Sequence, residues 1–447
     1  MDSTLACLVE WMPRQRWYSS KGRSPLLRLL TTHEWPSDDP SARVRTLIVA
    51  DEGAAVTVVY QVPLVLRTVP PSDAAAIVGT TEDGIVLIDG PRDVAYTAAL
   101  WRALDATRGE STSAADPHAP VPRARVLTGE QSNTSVIFEL EGAPPVICKV
   151  FRQLHPGINP DIELQTALAE SGSRHVPRAR GAVAASWASP DGSGPTEGSL
   201  AFAQEFLPDV ADAWRVARQA AESGESFAAS AHALGAATAD VHLSLARVLP
   251  TAAADPQARE AIGAAWRRRL DIATSEVPAL TRHRDTIAAV YARAHDAVWE
   301  PLQRIHGDYH LGQVLHAQGR GWILLDFEGE PMRPMSERRR PDSPLRDIAG
   351  MLRSFDYVAG SLSTGGGTPP PNPAWAEEAR RAFLSGYEAR SGHPATGPLL
   401  DAFELDKAVY EAIYESRNRP EWLDIPLAAI DRLVARGATV SPPATSE

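Results

Sequence analysis

Early in the chain, apolar positions cluster in short runs bounded by turn formers. Residues 46–50, 55–62 and 84–89 are rich in valine and isoleucine, which predicts strands. A short helix is expected over 5–12, ahead of an aromatic and basic run at 11–21, and the apolar spacing over 93–107 predicts another. Residues 109–123, rich in Ser, Ala, Pro and Asp, read as a linker. Strand signals then recur at 125–128, 135–140 and 146–151, separated by turns. Asn159-Pro160-Asp161 opens a helix to about residue 170, with proline at its first position and acid in its first turn. Strands follow near 181–187 and 200–206. Beyond Asp209 the pattern is helical, broken by a strand pair within 313–327 and a proline-rich loop at 365–373. The elements therefore predict an α+β chain: a cap over 1–98, an intermediate lobe of strands over 99–207, and a helical lobe over 208–447.

Composition narrows the class. At 447 residues the chain is long enough for two or three lobes, and 44% apolar residues can fill a core in each. No run approaches the ~18 apolar residues of a membrane span, and no basic-then-apolar leader opens the sequence. Two cysteines, Cys7 and Cys148, give neither metal spacing nor a disulfide framework. A cytoplasmic protein is expected. The net charge of −12 argues against nucleic acid or an anionic membrane as partner. ATP is compatible, because one lysine and a bound metal can meet its phosphates locally.

The strongest chemical signal is His306-Gly307-Asp308-Tyr309-His310-Leu311-Gly312-Gln313, followed by Trp322 to Glu328. Phosphoryl transfer to a hydroxyl needs an acid–base group beside the nucleophile and magnesium bridging the phosphate oxygens. A kinase catalytic loop sets its aspartate five residues before an amide ligand, the separation of Asp308 and Gln313. Asp326-Phe327-Glu328 stands where a second metal-binding aspartate belongs. Lys149 lies on an apolar strand, where a buried ammonium needs an anionic partner. Glu163 on the following helix is the expected one, with Asp161 a nearby competitor. The turn at 128–134 holds one glycine, so phosphate capping would fall to backbone amides and the hydroxyls of Ser132, Thr134 or Ser135.

The pairing of Asp308 with His310 resembles the loop of aminoglycoside phosphotransferases and related small-molecule kinases. The stretches 11–22, 130–134, 159–164, 306–313, 326–331, 341–357 and 410–422 together make the chain similar to the actinobacterial maltokinase family, which includes glucosamine kinases. That resemblance implies a bilobal protein-kinase-like (aminoglycoside phosphotransferase-like) fold with an N-terminal cap subdomain, ATP with Mg²⁺, and a sugar acceptor. It makes Asp308 the catalytic base and Gln313 and Asp326 the metal ligands. Lys149, paired with Glu163, would meet the α- and β-phosphates. Backbone groups of the inter-lobe segment at Glu205 and Leu207 would read the adenine edge, with Asp212 on the ribose, unless it is simply a helix-start carboxylate.

For the acceptor, residues 401–418 form an amphipathic helix with Glu411, Glu415 and Asn418 on one stripe. Like charges one turn apart require partners, and Arg417 and Arg419 are at hand. With the plate of Trp422 these groups suit a polar ring bearing hydroxyls. Clustered carboxylates at Asp308, Glu411 and Glu415 favour a cationic amino sugar, and Tyr309 stands where maltokinases carry leucine. Both point to glucosamine, phosphorylated on its 6-hydroxyl, ahead of maltose. An aminoglycoside phosphotransferase normally lacks a cap like 1–98. A non-catalytic nucleotide-binding protein would not need Lys149, Asp308, Gln313 and Asp326 together. His306, His310 and Asp347 read as supports for the loop, and Glu328 as a water-mediated addition to the metal site.

Overall fold

The computed structural model describes residues 3–53, 56–107, 121–127, 133–331, 333–364 and 373–439. They divide into two compact units, Met1–Glu163 with Pro177–Pro208 and Leu164–Val176 with Asp209–Glu447. Most of the expected linker at 109–123, residues 128–132 of the phosphate turn and most of the loop at 365–373 lie outside the described residues.

In the first unit, α1 (Ser3–Trp11) precedes β1 (Leu27–Trp35), β2 (Arg43–Asp51), β3 (Val58–Arg67), β4 (Ile77–Thr80) and β5 (Val86–Asp89). They pair antiparallel in the order β1-β2-β3-β5-β4. β3 shows why the sheet needs cover on both sides. Tyr60, Val62 and Leu64 join Trp11, Trp17 and Tyr18 in one cluster, while Val65 joins another. That second cluster is built on α2 (Val94–Ala106), whose Tyr96, Leu100, Trp101 and Leu104 are buried. Asp93 caps α2 by accepting from Ala95 N at 2.8 Å, and Arg67 holds the same carboxylate.

α2 also packs on a second antiparallel sheet in the order β10-β11-β8-β7-β6. Its strands are β6 (Arg123–Val126), β7 (Asn133–Glu139), β8 (Val146–Phe151), β10 (Ala179–Ala188) and β11 (Pro195–Glu205). The short β9 (Gln153–Leu154) leaves β8 and pairs with β3, so one continuous chain joins the two sheets. Helix α3 (Pro160–Glu170) follows, and the division between units falls within it.

The second unit is helical around one small sheet. Its helices are α4 (Ala213–Ser223), α5 (Ala228–Val248), α6 (Pro256–Glu276), α7 (Arg284–His295), α8 (Met335–Arg338), α9 (Leu345–Thr364), α10 (Pro373–Ser391), α11 (Pro398–Asn418) and α12 (Asp424–Thr439). The strands β12 (Ala211–Asp212), β13 (Val314–Ala317) and β14 (Gly321–Leu324) pair in that order. α9 and α11 run through a shared core that includes Ile348, Leu352, Phe355, Leu405 and Val409. Among the described residues, no helix is long and apolar enough to cross a membrane.

Candidate active site

Residues 306–313 are held mainly through their backbone. Asp347, in the first turn of α9 and 1% exposed, accepts from the N–H groups of His306 and Gly307, each at 2.8 Å. His242 of α5 meets the same carboxylate from Nε2 at 3.0 Å. Burial resists charge on Asp347, but these contacts outweigh it and hold its carboxyl below the usual aspartate range. His306 donates from Nε2 to Leu325 O at 2.7 Å, and its ring centroid lies 4.7 Å from that of Phe327. α9 approaches so closely at Gly350 that a Cβ there would lie 2.5 Å from Tyr309 O. The path of the loop is thus set without the side chain of Asp308.

Two neighbouring side chains are engaged by the fold itself. His310 accepts from Gly312 N at 3.1 Å through Nδ1, capping the short turn Leu311–Gln313, and burial lowers its pKa. Tyr309 is buried and its hydroxyl meets Thr238 Oγ1 at 2.8 Å in α5. Tyr309 is therefore a core residue, and its identity does not choose between acceptors as the sequence reading has it.

Antiparallel pairing of β13 with β14 brings the ends of that hairpin together, Val314 opposite Leu324. Gln313 precedes β13 and Asp326 follows β14, and Gln313 Nε2 lies 3.0 Å from Asp326 Oδ2. Asp326 has φ of 65°, a left-handed conformation that costs a non-glycine residue about 1–2 kcal/mol. Among the described residues only Asp209 shares it outside glycine. An amide and a carboxylate offer hard oxygen donors, so these two residues are the ones that would hold a divalent cation such as magnesium.

Lys407 of α11 is the group that sequence reading overlooks. Its ammonium lies 2.6 Å from Glu330 Oε1 and 3.4 Å from Asp308 Oδ1. Burial disfavours its charge, but Glu330, Asp308 and Glu411 outweigh that and raise its pKa well above the lysine range. Burial likewise opposes charge on Glu330, yet Lys407, Arg269 and Arg346 bring its pKa down to about 2. The available signal was spacing, because Lys407 lies one helical turn before Glu411 on the same stripe.

The acceptor stripe itself is more fully paired than its sequence suggests. Glu411 accepts from Arg353 Nε of α9 at 2.8 Å, and burial raises its pKa against the pull of Arg353 and Lys407. Glu415, 1% exposed, accepts from Arg419 Nε at 2.9 Å, Arg419 Nη2 at 2.6 Å and the Tyr357 hydroxyl at 3.0 Å. So Arg419 is a partner as expected, but Arg417 engages Glu276 instead. Glu411 and Glu415 are not free carboxylates, because buried like charges one turn apart need cations beside them. Asn418 is exposed and bonds to Tyr414 O at 2.8 Å. Trp422 stacks on Tyr357 with centroids 6.3 Å apart, and the Arg419 guanidinium lies 4.7 Å from the centre of its ring.

In the first unit, Lys149 Nζ meets Asp161 Oδ2 at 2.9 Å. Asp161, the nearby competitor to Glu163, is thus a carboxylate at the ammonium, and it is the fully buried acid of that helix's first turn. Glu163 is half-buried on the same helix. Glu205 ends β11, and its backbone N–H donates to Arg178 O at 2.9 Å. Leu207 lies just beyond that strand, half-buried. In the second unit, Asp212 caps α4 by accepting from Arg215 N at 2.7 Å, which is the helix-start alternative to a ribose ligand.

Comparison with known proteins agrees over nearly the full length. Residues 11–93 match the maltokinase N-terminal cap domain and residues 123–398 the phosphotransferase enzyme family. A glucosamine kinase of Streptacidiphilus jiangxiensis is 29% identical over 418 residues, 88% of this chain and 92% of its own. A glucosamine kinase of Mycolicibacterium smegmatis is 30% identical over 332 residues, 70% of this chain and 80% of its own. A solved glucosamine kinase in complex with glucosamine, ADP and inorganic phosphate is similar with a TM-score of 0.66 at 25% identity, covering 95% of this chain and 98% of its own. Another glucosamine kinase crystal form gives 0.68 at 26% identity, covering 96% and 99%. The chain belongs to the phosphotransferase enzyme family and carries a maltokinase-type N-terminal cap.

Proposed function

We propose that this chain is an ATP- and magnesium-dependent sugar kinase whose acceptor is glucosamine, phosphorylated on its 6-hydroxyl. The observation that carries the reading is the hairpin mouth where Gln313 meets Asp326, on the segment that continues from Asp308. The likeness to glucosamine kinases across nearly the whole chain supports the choice of sugar.

In this reading Asp308 orients the acceptor hydroxyl and takes its proton as the oxygen–phosphorus bond forms and the bond to the ADP leaving group breaks. Magnesium, held by Gln313 and Asp326, would supply charge neutralisation on the phosphate oxygens. Lys149, kept charged and oriented by Asp161, would meet the α- and β-phosphates, with Glu163 adding to the acid of that helix. Glu205 and Leu207 would line the adenine edge, and Asp212 would reach the ribose only in addition to capping α4. Glu411, Glu415 and Trp422 would form the wall for the acceptor ring, acting partly through the arginines and the tyrosine they hold.

A second reading, a neutral acceptor such as maltose, draws on one observation. Asp308, Glu411 and Glu415 each already have a cation, in Lys407, Arg353 and Arg419. A pre-neutralised wall favours an ammonium less than bare carboxylates would. ATP consumption across glucosamine, glucose, maltose and kanamycin separates the readings. Glucosamine should lead, and use of maltose alone would replace it.

A further inference from the structure

Behind the acceptor stripe, the second unit joins three guanidiniums and three carboxylates in one connected group. Arg353 of α9 is fully buried. Its Nε and Nη2 both meet Glu411 Oε2, at 2.8 and 2.7 Å, and its Nη1 donates to Asp356 Oδ2, one turn on, at 2.5 Å. The same Asp356 oxygen accepts from Arg432 Nη2 of α12 at 2.6 Å and from Arg380 Nη1 of α10 at 3.4 Å. Arg380 and Arg432 meet again at Glu404 of α11, at 2.9 and 3.2 Å. The group thus runs across α9, α10, α11 and α12 and ends on Glu411.

Burial opposes charge on Asp356, but Arg353, Arg380 and Arg432 outweigh it and hold its carboxyl below the usual aspartate range. Buried charges are tolerated only while each keeps its counterpart. Arg353 stands between two competing carboxylates, so its place depends on how far the other arginines satisfy Asp356. Arg432 is the end of the group that water reaches, its side chain 33% exposed against 1% for Arg353 and 4% for Arg380. Because both Arg353 nitrogens converge on Glu411 Oε2, Glu411 Oε1 has no hydrogen bond among the described residues.

We propose that α12 sets the acceptor wall through this group: Arg432 neutralises Asp356, which leaves Arg353 to hold Glu411 with Oε1 presented to a sugar hydroxyl or ammonium. Arg432, Asp356 and Arg353 are positioning residues that act through Glu411. This rests on the reading of Glu411 as part of the wall. Loss of Arg432 leaves Asp356 short of one cation, draws Arg353 towards it and loosens Glu411, while the catalytic loop keeps its own supports in Asp347 and His242.

The test uses the full-length protein. Arg432→Gln should raise the KM for glucosamine about 3- to 10-fold, the scale of one hydrogen bond, with kcat and the KM for ATP each within about two-fold. Arg432→Lys keeps the charge and should lie between Arg432→Gln and wild type, and it carries the test if Arg432→Gln fails to fold. Arg282→Gln removes an exposed cation that meets Asp431 of the same helix, outside the group, and should leave both KM values within about two-fold. Added to Glu411→Gln, Arg432→Gln should raise the KM for glucosamine no further, because the group it positions has already been replaced. An equal rise in the KM for ATP, an unchanged KM for glucosamine in folded Arg432→Gln, or fully multiplicative effects in the double variant would overturn the proposal. Urea unfolding of the same variants separates this from the wider reading. Independent shifts of the unfolding midpoint for Arg432→Gln and Glu411→Gln would overturn the network whatever the protein phosphorylates. Coupled shifts with no turnover of glucosamine, glucose or maltose would overturn the sugar-kinase reading instead.

Discussion

At the β13–β14 hairpin an amide and a carboxylate, Gln313 and Asp326, face each other at 3.0 Å. On α11, by contrast, Glu411 meets Arg353, Glu415 meets Arg419, and Lys407 spans Glu330 and Asp308. Both regions are acidic in sequence; we propose that the first takes up a cation when nucleotide binds, whereas on α11 the chain supplies cations of its own. The difference shows that carboxylate count alone does not define a binding site. What matters is whether the folded chain supplies the counter-charge, because a buried carboxylate left without one is strongly destabilising. The backbone differs as well: Asp326 sits in the left-handed region, while α11 is a continuous helix.

The comparison can be broken most severely at the hairpin side. Asp308→Asn should lower kcat about 10²- to 10⁴-fold, the usual worth of a general base, while ATP affinity changes little. Single-turnover kinetics with a nucleotide-binding assay checks both. Asp326→Asn is the sharper metal variant, because asparagine tolerates the left-handed backbone that alanine would not. It should raise the magnesium concentration needed for half-maximal rate by at least about 10-fold, seen in a metal titration.

On the α11 side the effects fall on stability and acceptor handling. Lys407→Met leaves Glu330 buried without its nearest cation, which should cost about 3–5 kcal/mol in urea unfolding at pH 7. The pH dependence has a definite sign. Glu330 has its folded pKa held at about 2, below the ordinary ~4.3 of a glutamate. Its contribution is thus complete above about pH 4.5 and is lost as pH falls towards 2. The gap between Lys407→Met and wild type should therefore be widest near neutrality and narrow below about pH 4. A gap that widens on acidification would contradict the pairing. Glu415→Gln is the mildest change, since the amide keeps the shape. It should raise acceptor KM about 3-fold, the worth of a weakened hydrogen bond, and leave ATP KM alone in steady-state kinetics.

Much of this architecture was legible in the sequence where burial writes a period. The helix over 93–107 is α2, and the strands expected at 135–140 and 146–151 are β7 and β8, while β6 begins two residues before the expected 125–128, whose last residue lies outside the described residues. β1 was not legible, because its residues are half-buried or exposed and its apolar positions do not alternate cleanly. The two-residue β9 is too short to carry any period, though it joins the two sheets. Spacing alone brought Gln313 and Asp326 to one place, since a hairpin between them makes their approach a local matter. Lys407 and Arg353 were missed for the opposite reason. Their partners lie far away in sequence, and only packing of α9 and α11 brings them together.

The most direct test is to incubate the protein with magnesium, ATP and glucosamine and identify the product by phosphorus and proton NMR, with Asp308→Asn alongside. A phosphorylated amino sugar bearing its phosphate on the 6-oxygen, formed by wild type and absent with the variant, is the predicted result. Phosphate on a maltose anomeric oxygen instead, or equal product from both proteins, would contradict it.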